Sequence, residues 1–434
     1  MGTIVCKFGG SSVADAGQIR KIESIIRADA RRSRVVVSAL GKRKKEDQKV
    51  TDLLYLCHDL ADAGLDISEP FHIIRDRHLE LAKDLGVDLD VVGLLDEVRR
   101  QTQGGASRDF VASRGEYLSG RIVAAYLRAR FVDPADGILF ASDGRLDEKT
   151  YDHLSGLLKG DGLVIIPGFY GANPDGSIRT FPRGGSDITG AVVSRAIHAE
   201  VYENWTDVSG FLMTDPRIVS DARPIREITY RELRELAYMG ATVLQDEAIF
   251  PVRQLNIPIN IRNTNAPDDP GTFVLPKRDA SGTAVIGVAG KRGFSMVYIE
   301  KALMNKEHGF GRKILEILEA HDISYEHSPT GIDSMSVIIE DEEIAGKEEI
   351  VRQDIRRILE PDRVDITRGL ALIATVGEGM AYRVGVAARV FTALADARVN
   401  VRIIDQGSSE INIIVGVDQG DYETAVKALY KAFA

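Results

Sequence analysis

The sequence predicts a three-layer α/β domain with a mainly parallel sheet, followed by two small α+β modules of ferredoxin-like type. Three observations predict this fold class. Short apolar strands alternate with helical segments over the first 264 residues. A stretch rich in Pro, Gly and Asp, NAPDDPGTFVLPKRDASGT at residues 265–283, is typical of a domain edge. Beyond it the chain repeats itself, which indicates two copies of one unit.

The first elements follow from apolar patterning. Residues 3–8 form a β-branched and apolar run that ends at two glycines, and a helical pattern through Ile19 and Ile26 follows. Residues 34–40 predict a strand buried in a parallel sheet. Residues 51–130 have helical periodicity. Further strands are predicted at residues 137–140, 162–168 and 200–205.

The internal repeat needs no gap. GFGRKILEILEAHDISYEHSPTGIDSMSVII, from Gly309, aligns with GVAARVFTALADARVNVRIIDQGSSEINIIV, from Gly385, at an offset of 385 − 309 = 76. A strand precedes each copy, at residues 296–299 and 370–373, and an amphipathic helix follows it. The tail is therefore predicted to be two β-α-β-β-α units.

Composition excludes several classes of protein. The 434 residues suffice for two to four domains, and the net charge of −10 argues against a nucleic-acid partner. The basic run at residues 42–45 is followed at once by two acidic residues, which favours a solvated loop. Only Cys6 and Cys57 are present, so we expect a reduced, cytoplasmic environment. The apolar runs are too short to predict a membrane span.

An anion site is predicted at TFPRGGSDITGAVVSRAI, residues 180–197. Asp175-Gly176 is a hairpin signal just before it, and Ser186 is the expected N-cap of the helix that follows. Glycines at the positive end of a helix leave backbone N–H groups open to an anion, and Arg183 adds a guanidinium group suited to a carboxylate or phosphate. The alternative is a capped helix after a tight turn.

Two further stretches point to a nucleotide. KFGGSS, from Lys7, places a lysine at the end of a strand, with glycines where a phosphate could approach the backbone. The P-loop pattern is absent, since the lysine precedes the glycines. WTDVSGFL, from Trp205, places Thr and Asp at a strand's carboxyl end, where ligands bind in open α/β sheets. A simple turn is the alternative for this second stretch.

With these stretches in this order, the chain resembles an aspartokinase of the amino-acid-kinase superfamily over essentially its whole length. The motifs that carry the resemblance are KFGGSSV, SALGKRKKEDQKVTDLL, RGEYLSG, RGGSDITGA, WTDVSGFLMTDPR and YMGATVL. The paired repeats look like the two regulatory ACT domains of that family. The resemblance implies a division into a catalytic domain at 1–280, a first ACT module at 281–365 and a second at 366–434, with the two modules interleaved.

The resemblance implies transfer of the γ-phosphoryl group of ATP to the side-chain carboxylate of L-aspartate, the first step toward lysine, threonine and methionine. It implies Lys7, Arg183 and Asp187 as catalytic residues. Thr51, Glu116, Arg183, Ser186 and Ser38 are implied for aspartate. Taken alone, Glu116 is a surface helix residue and Thr51 an N-cap.

For ATP the resemblance implies the following residues: Lys7, Gly9, Gly10, Ser11, Thr206, Asp207, Leu212 and Arg217. Mg²⁺ is expected to be held largely by the phosphates, with no dedicated protein ligands. Two positions depart from the family pattern, where Thr242 and Gln245 stand in place of residues that are often lysine and histidine. The nucleotide role of that segment is open, and Arg217 is the cation expected to compensate.

The tail is implied to bind an end-product amino acid, lysine or threonine, at an interface between ACT modules of a homodimer or larger assembly. The implied effector residues are Met304, Gly309, Phe310, Gly311, Ile332 and Asp333. The second repeat has Gln406 to Asn412 at the equivalent place, where binding and simple packing are both open. Two alternatives to an aspartate kinase remain: a related kinase for another carboxylate substrate, and a catalytically impaired amino-acid sensor.

Overall fold

The chain folds into two compact units. The computed structural model describes residues 2–182, 184–240, 249–280 and 282–434. The described residues of the first unit lie within Met1–Phe211, Arg226–Tyr230 and Val243–Arg278, and those of the second lie within Leu212–Ile225, Arg231–Thr242 and Asp279–Ala434. Among the described residues, no helix is both long and apolar enough to cross a membrane.

The first unit contains an eight-stranded sheet and a separate hairpin. Its strands are β1 (Ile4–Phe8), β2 (Arg32–Val37), β3 (Arg130–Phe131), β4 (Val164–Pro167), β5 (Tyr170–Ala172), β6 (Ile178–Thr180), β7 (Val201–Thr206), β8 (Glu227–Thr229), β9 (Ile259–Asn263) and β10 (Thr272–Leu275). The sheet has the order β3-β4-β2-β1-β7-β9-β10-β8, and only β9 and β10 pair antiparallel. The mainly parallel sheet is therefore confirmed. β5 and β6 form the predicted hairpin.

Helices cover both faces of this sheet. They are α1 (Ala16–Arg27), α2 (Val50–Asp62), α3 (Ser68–Leu85), α4 (Val91–Gln103), α5 (Arg108–Leu127), α6 (Lys149–Leu157), α7 (Gly185–Ala196) and α9 (Ile249–Arg253). A further helix, α8 (Tyr230–Tyr238), belongs to the second unit from Arg231 onward. Cys6 and Phe8 of β1 pack into one apolar core with residues of α1 to α5. The alternate residue Lys7 faces α7. Because side chains alternate along β1, Cys6 and Phe8 contact the helices on one face of the sheet and Lys7 contacts α7 on the other.

The strand predicted at residues 137–140 is wrong. Leu139 and Phe140 make only isolated bridges, to Ala172 and Leu146. The Thr150 hydroxyl bonds both the N–H and the C=O of Leu139, at 2.9 and 3.0 Å, and so takes backbone groups that a ladder would use. Beside β4, the edge of the sheet is formed by β3 instead.

The second unit contains a five-stranded antiparallel sheet in the order β12-β11-β13-β15-β14. Its strands are β11 (Gly287–Glu300), β12 (Ser334–Glu340), β13 (Arg363–Val376), β14 (Val401–Asp405) and β15 (Asn412–Asp418). Its helices are α10 (Phe310–Ala320), α11 (Asp341–Ile344), α12 (Glu348–Leu359), α13 (Val386–Asp396) and α14 (Tyr422–Phe433). The starts of α10 and α13 are 386 − 310 = 76 residues apart, as the repeat predicts.

Each repeat has its own apolar core, and the two long strands β11 and β13 contribute to both. Val297 and Ile299 of β11 pack with α10 and α12 of the first repeat. Val288, nearer the start of the same strand, packs with α13 and α14 of the second repeat. The second repeat therefore draws part of its core from a segment that precedes the first repeat in the chain.

Candidate functional site

The candidate site of the first unit is built where β1, β2 and β7 end. These three strands are parallel neighbours, so their carboxyl ends lie at one edge of the sheet. Lys7, the next-to-last residue of β1, is in register with Val36 of β2 and Asn204 of β7. Lys7 is buried, with only 8% of the residue exposed. A buried lysine requires a charged partner.

That partner is Asp187 of α7. Lys7 Nζ lies 2.5 Å from Asp187 Oδ1, and both residues are buried. Asp187 is in the first turn of its helix, where a carboxylate is stabilised by the positive end of the helix dipole. Two of the residues that the resemblance implies as catalytic therefore form a buried ion pair.

The predicted N-cap of α7 is wrong. Gly184 occupies that position with φ at 83°, and Ser186 is the second residue of the helix. Gly184 adopts the left-handed conformation, which glycine does without steric cost. The helix therefore begins two residues earlier than a Ser186 N-cap would place it. Ser186 remains buried at the start of α7, so its hydroxyl group and amide stay at the positive end of the helix.

Two loops approach each other closely beside Lys7. A Cβ atom on Gly41 would lie 2.4 Å from the carbonyl carbon of Gly10, so only glycine permits this backbone contact. The Gly41 amide donates to the Gly10 carbonyl at 2.9 Å. The Gly9 amide donates to the Trp205 carbonyl at 3.0 Å and is thus already engaged. A phosphate cradle in this loop is consequently to be sought at Gly10 and Ser11.

Glu116 of α5 is a buried carboxylic acid beside Lys7. Its residue is 5% exposed, and its Oε2 atom is buried without a hydrogen-bond partner. Burial raises the pKa of Glu116 to about 8, against the lowering effects of the Ala39 backbone and the Lys7 charge. The alternative of a surface helix residue is therefore wrong. Helix α5 is buried on nearly all sides, and apolar periodicity in the sequence does not reveal this.

Ser38 and Thr51 flank the same region. Ser38 follows β2, and its carbonyl accepts a hydrogen bond from Ser119 Oγ of α5 at 2.6 Å. Thr51 is the second residue of α2, whose N-cap is Lys49, so the alternative of Thr51 as an N-cap is wrong.

The basic run at residues 42–45 is exposed, as predicted for a solvated loop, and Arg43 pairs with Asp47 and Glu80.

The remaining residues implied for ATP are divided between the units. Thr206 ends β7, and its hydroxyl donates to the neighbouring Asp207 at 3.2 Å. Leu212 and Arg217 belong to the second unit, where Arg217 donates to both carboxylate oxygens of Asp215. The predictions for Arg183, Thr242 and Gln245 lie outside the described residues.

One residue of this site was missed by sequence analysis. Asn204 of β7 donates from Nδ2 to Asp187 Oδ1 at 2.8 Å and is buried. The available signal was a polar side chain in the middle of an otherwise buried strand, since such a side chain must find a hydrogen-bond partner. The sequence alone does not say which partner.

In the second unit, the implied effector residues gather around the turn before α10. Met304 and Phe310 are buried, and Gly309 precedes the helix with φ at 77°. Asp333 Oδ1 accepts a hydrogen bond from the Leu303 amide at 2.9 Å, which places the residue just before β12 beside this turn. Ile332 is 71% exposed.

The second repeat has a cleft of about 190 Å³ at the equivalent place. Gly385 precedes α13 as Gly309 precedes α10. The residues lining the cleft are Met380, Arg383, Gly385, Val386, Ala387, Gln406, Glu410 and Ile413. Both repeats thus begin this helix directly after a glycine with positive φ.

Comparison with known proteins places the chain in a family. The model of the amino acid kinase family matches residues 2–263, and an ACT domain model matches residues 373–433. Aspartokinase 3 of Bacillus subtilis is 40% identical over 445 aligned positions, which cover 99% of this chain and 98% of the relative. The chain belongs to the aspartokinase family.

Solved structures of this family show the same fold. The aspartate kinase of Clostridium acetobutylicum is 48% identical, with a TM-score of 0.94 and full coverage of both chains. Aspartokinase III of Escherichia coli, solved with aspartate and ADP in an R-state, is 26% identical, with a TM-score of 0.75 and 99% coverage of both chains. The same enzyme solved with lysine and aspartate in a T-state has a TM-score of 0.77 at 27% identity, again with 99% coverage of both chains.

Proposed function

We propose that this member of the aspartokinase family transfers the γ-phosphoryl group of ATP to the side-chain carboxylate of L-aspartate, giving 4-phospho-L-aspartate. The observation that carries the proposal is the buried, unpartnered Glu116 Oε2 atom beside the Lys7–Asp187 pair. A substrate ammonium group would supply the missing partner and ionise Glu116. Membership of the family and the aspartate and ADP complex of the E. coli relative support the same reaction.

The chemistry requires positioning rather than a general base. A free aspartate side chain is already ionised near pH 7 and can attack phosphorus directly. The transferred group carries negative charge on its outer oxygens, which a fixed ammonium group stabilises. In this proposal Lys7 supplies that ammonium, Asp187 orients it, and the amides of Gly10, Ser11 and Ser186 donate to phosphate oxygens.

The substrate is proposed to be held at both of its charged ends. Glu116 takes the α-ammonium group, Arg183 takes the α-carboxylate, and Ser38 and Thr51 close the pocket. Because an N-acetylated substrate or a nucleoside monophosphate has no free ammonium group, neither would satisfy Glu116. This argues against the alternative of a related kinase for such acceptors.

ATP is proposed to bind with Mg²⁺ across the carboxyl ends of β1 and β7, near Thr206 and Asp207. Within the described residues, no group of three or more His, Cys, Asp or Glu side chains is placed to hold a metal. Mg²⁺ often takes most of its ligands from phosphates and water, which fits such a site. When bound, it would neutralise charge on the phosphates.

Feedback control is proposed for the paired repeats. A free amino acid would place its carboxylate at the start of α10 and its ammonium group near Asp333. Lysine is the first effector to test, since the E. coli relative has been solved with lysine, and threonine is the second. We also propose that these modules form a homodimer or a larger assembly, and that the domains divide as the resemblance implies. The two buried free cysteines are in keeping with a further proposal, that the protein works in a reducing cytoplasm.

The first experiment measures ADP release from Mg-ATP with L-aspartate, L-glutamate, N-acetyl-L-aspartate or no acceptor. We expect release that depends on aspartate and is suppressed by lysine or threonine. Release with another acceptor alone would overturn the substrate assignment. Calorimetric binding of lysine without any turnover would favour the alternative of an impaired amino-acid sensor.

A further inference from the structure

Asn204 is a buried amide on the strand beside Lys7. Parallel pairing of β1 and β7 makes Asn204 the direct register partner of Lys7. Residues in register on neighbouring strands point to the same face, so both side chains face α7. Asn204 is 3% exposed. Its amide therefore lies inside the protein, in the layer between the sheet and this helix.

The amide acts on the same carboxylate oxygen as the lysine. Asn204 Nδ2 donates to Asp187 Oδ1 at 2.8 Å, and Lys7 Nζ lies 2.5 Å from that atom. Tyr202, two residues earlier on the same face of β7, donates its hydroxyl group to the main-chain oxygen of Asp187 at 3.0 Å. Strand β7 thus holds Asp187 by its side chain and by its backbone.

The packing of α7 makes this contact rigid. Tyr202 Oη lies 2.5 Å from the place where a Cβ atom on Gly190 would stand, so the helix rests directly on the tyrosine. The Asp187 carboxylate is thus attached to a helix that packs closely on β7 and is bonded to it through Tyr202. The remaining freedom of Asp187 is rotation of its side chain. The charge-assisted hydrogen bond from the Asn204 amide restricts that rotation.

We propose that Asn204 is a positioning residue for phosphoryl transfer: its amide orients the Asp187 carboxylate, and through it the Lys7 ammonium group. The inference rests on the proposed function and deepens it. Asn204 touches neither nucleotide nor aspartate in this arrangement. Its effect is expected in the transition state, where a misplaced ammonium group costs rate more than it costs substrate binding.

Asn204→Leu removes the donor while nearly preserving side-chain volume. We expect kcat to fall about tenfold or more, as for a lost hydrogen bond to a charged group, with KM for ATP and aspartate changed less than about threefold. The matched control is Asn260→Leu, which removes a buried amide from the neighbouring strand β9. Asn260 is in register with Glu203, on the opposite face of the sheet from Asp187. Equal losses of kcat in the two variants would overturn the proposal.

Asn204→Asp tests the donor itself. While the introduced carboxyl group is protonated it can donate to Asp187, so kcat should stay within about threefold of the unaltered chain near pH 6. As the introduced carboxyl group ionises toward pH 9, kcat should fall about tenfold relative to the unaltered chain. The charged and titratable groups nearby are Lys7, Tyr202 and Glu116. These groups are present in both proteins, so the ratio isolates the introduced carboxyl group. A ratio that does not change with pH would contradict a donor role.

Thermal unfolding separates this inference from the proposed function. The unaltered chain is assayed first, and a lack of aspartate-dependent ADP release there refutes the function alone. The contact is then tested by comparing Asn204→Leu, Asp187→Ala and the double variant. If the amide holds the carboxylate, the double variant loses less Tm than the sum of the single losses. Additive losses would overturn the inference whatever the activity.

Discussion

Glu203 of β7 and Arg32 of β2 form a bidentate ion pair across β1, the strand that carries Lys7. The Arg32 nitrogens lie 2.8 and 3.0 Å from the two carboxylate oxygens. The same carboxylate accepts from the Trp205 indole at 2.9 Å. This network lies on the face of the sheet opposite Asp187. One buried charge pair therefore joins the two neighbours of β1 on that face, and the Lys7–Asp187 pair lies on the other face.

Glu203→Gln should destabilise the protein by about 3 to 5 kcal/mol, because it leaves Arg32 buried without a counter-charge. Urea unfolding measures the change. The control is Glu148→Gln, which breaks an exposed pair with Arg195 and should cost less than about 1 kcal/mol. Equal costs in the two variants would contradict the structural role of the buried pair.

Asp187→Asn should abolish most activity while the protein stays folded. The neutral amide cannot hold the Lys7 ammonium group by charge, so we expect kcat to fall at least about 100-fold. Initial rates of ADP release, with circular dichroism as the check on folding, measure this. A variant with near-normal kcat would show that Lys7 needs no carboxylate partner.

The Glu116→Gln variant should be more stable than the unaltered chain at high pH and yet bind aspartate more weakly. The folded protein raises the pKa of Glu116 from its usual 4.5 to about 8. The native state therefore holds a proton that the unfolded chain releases, and its stability falls as the pH rises from about 4.5 through 8. The glutamine variant escapes this loss, so it should be more stable than the unaltered chain at pH 8 to 9, by on the order of 3 kcal/mol, and similar at pH 4.

The same variant should bind aspartate poorly, because a neutral amide cannot compensate the substrate ammonium group. We expect KM for aspartate to rise about tenfold or more and KM for ATP to change little. Thermal unfolding across pH and steady-state kinetics provide the two readouts. A stability difference that is the same at pH 4 and pH 9 would refute the raised pKa.

Gly41→Ala should disturb the loop beside Lys7. Its new Cβ atom would lie 2.4 Å from a backbone carbon of Gly10, so one of the two loops must move. We expect a loss of about 1 to 3 kcal/mol in unfolding free energy and a raised KM for ATP. Gly156→Ala is the control, since nothing beyond its chain neighbours and the backbone of its own helix lies within 4 Å of its added Cβ. It should be neutral or slightly stabilising in its helix.

Asp333→Asn should weaken the proposed feedback. Loss of the carboxylate charge removes the partner proposed for the effector's ammonium group. The concentration of lysine or threonine needed for half-inhibition should rise about tenfold, as read from inhibition curves at fixed substrate. An unchanged inhibition curve for each effector would place the effector elsewhere, and the cleft beside Gly385 would be the next place to test.

Much of this architecture could be predicted from short-range patterns. The alternating strands and helices of the first unit, the hairpin at Asp175-Gly176 and the 76-residue repeat are all visible without coordinates. Each depends on periodicity or turn chemistry within a few residues. The same reasoning failed at residues 137–140, because the Thr150 hydroxyl captures the backbone of Leu139 from 11 residues away.

By itself the sequence determined the α/β architecture, the repeated tail and the motifs that place Lys7 near the end of a strand, Asp187 near the start of a helix and Glu116 within a helix. Only the tertiary structure decided that Lys7 and Asp187 touch, that Asn204 holds the same carboxylate and that Glu116 is buried with a raised pKa. The physical reason is one of range. Periodicity reports which face of an element is apolar, whereas pairing and burial of a charge depend on residues far away in the chain that only the packed sheet and helices bring together.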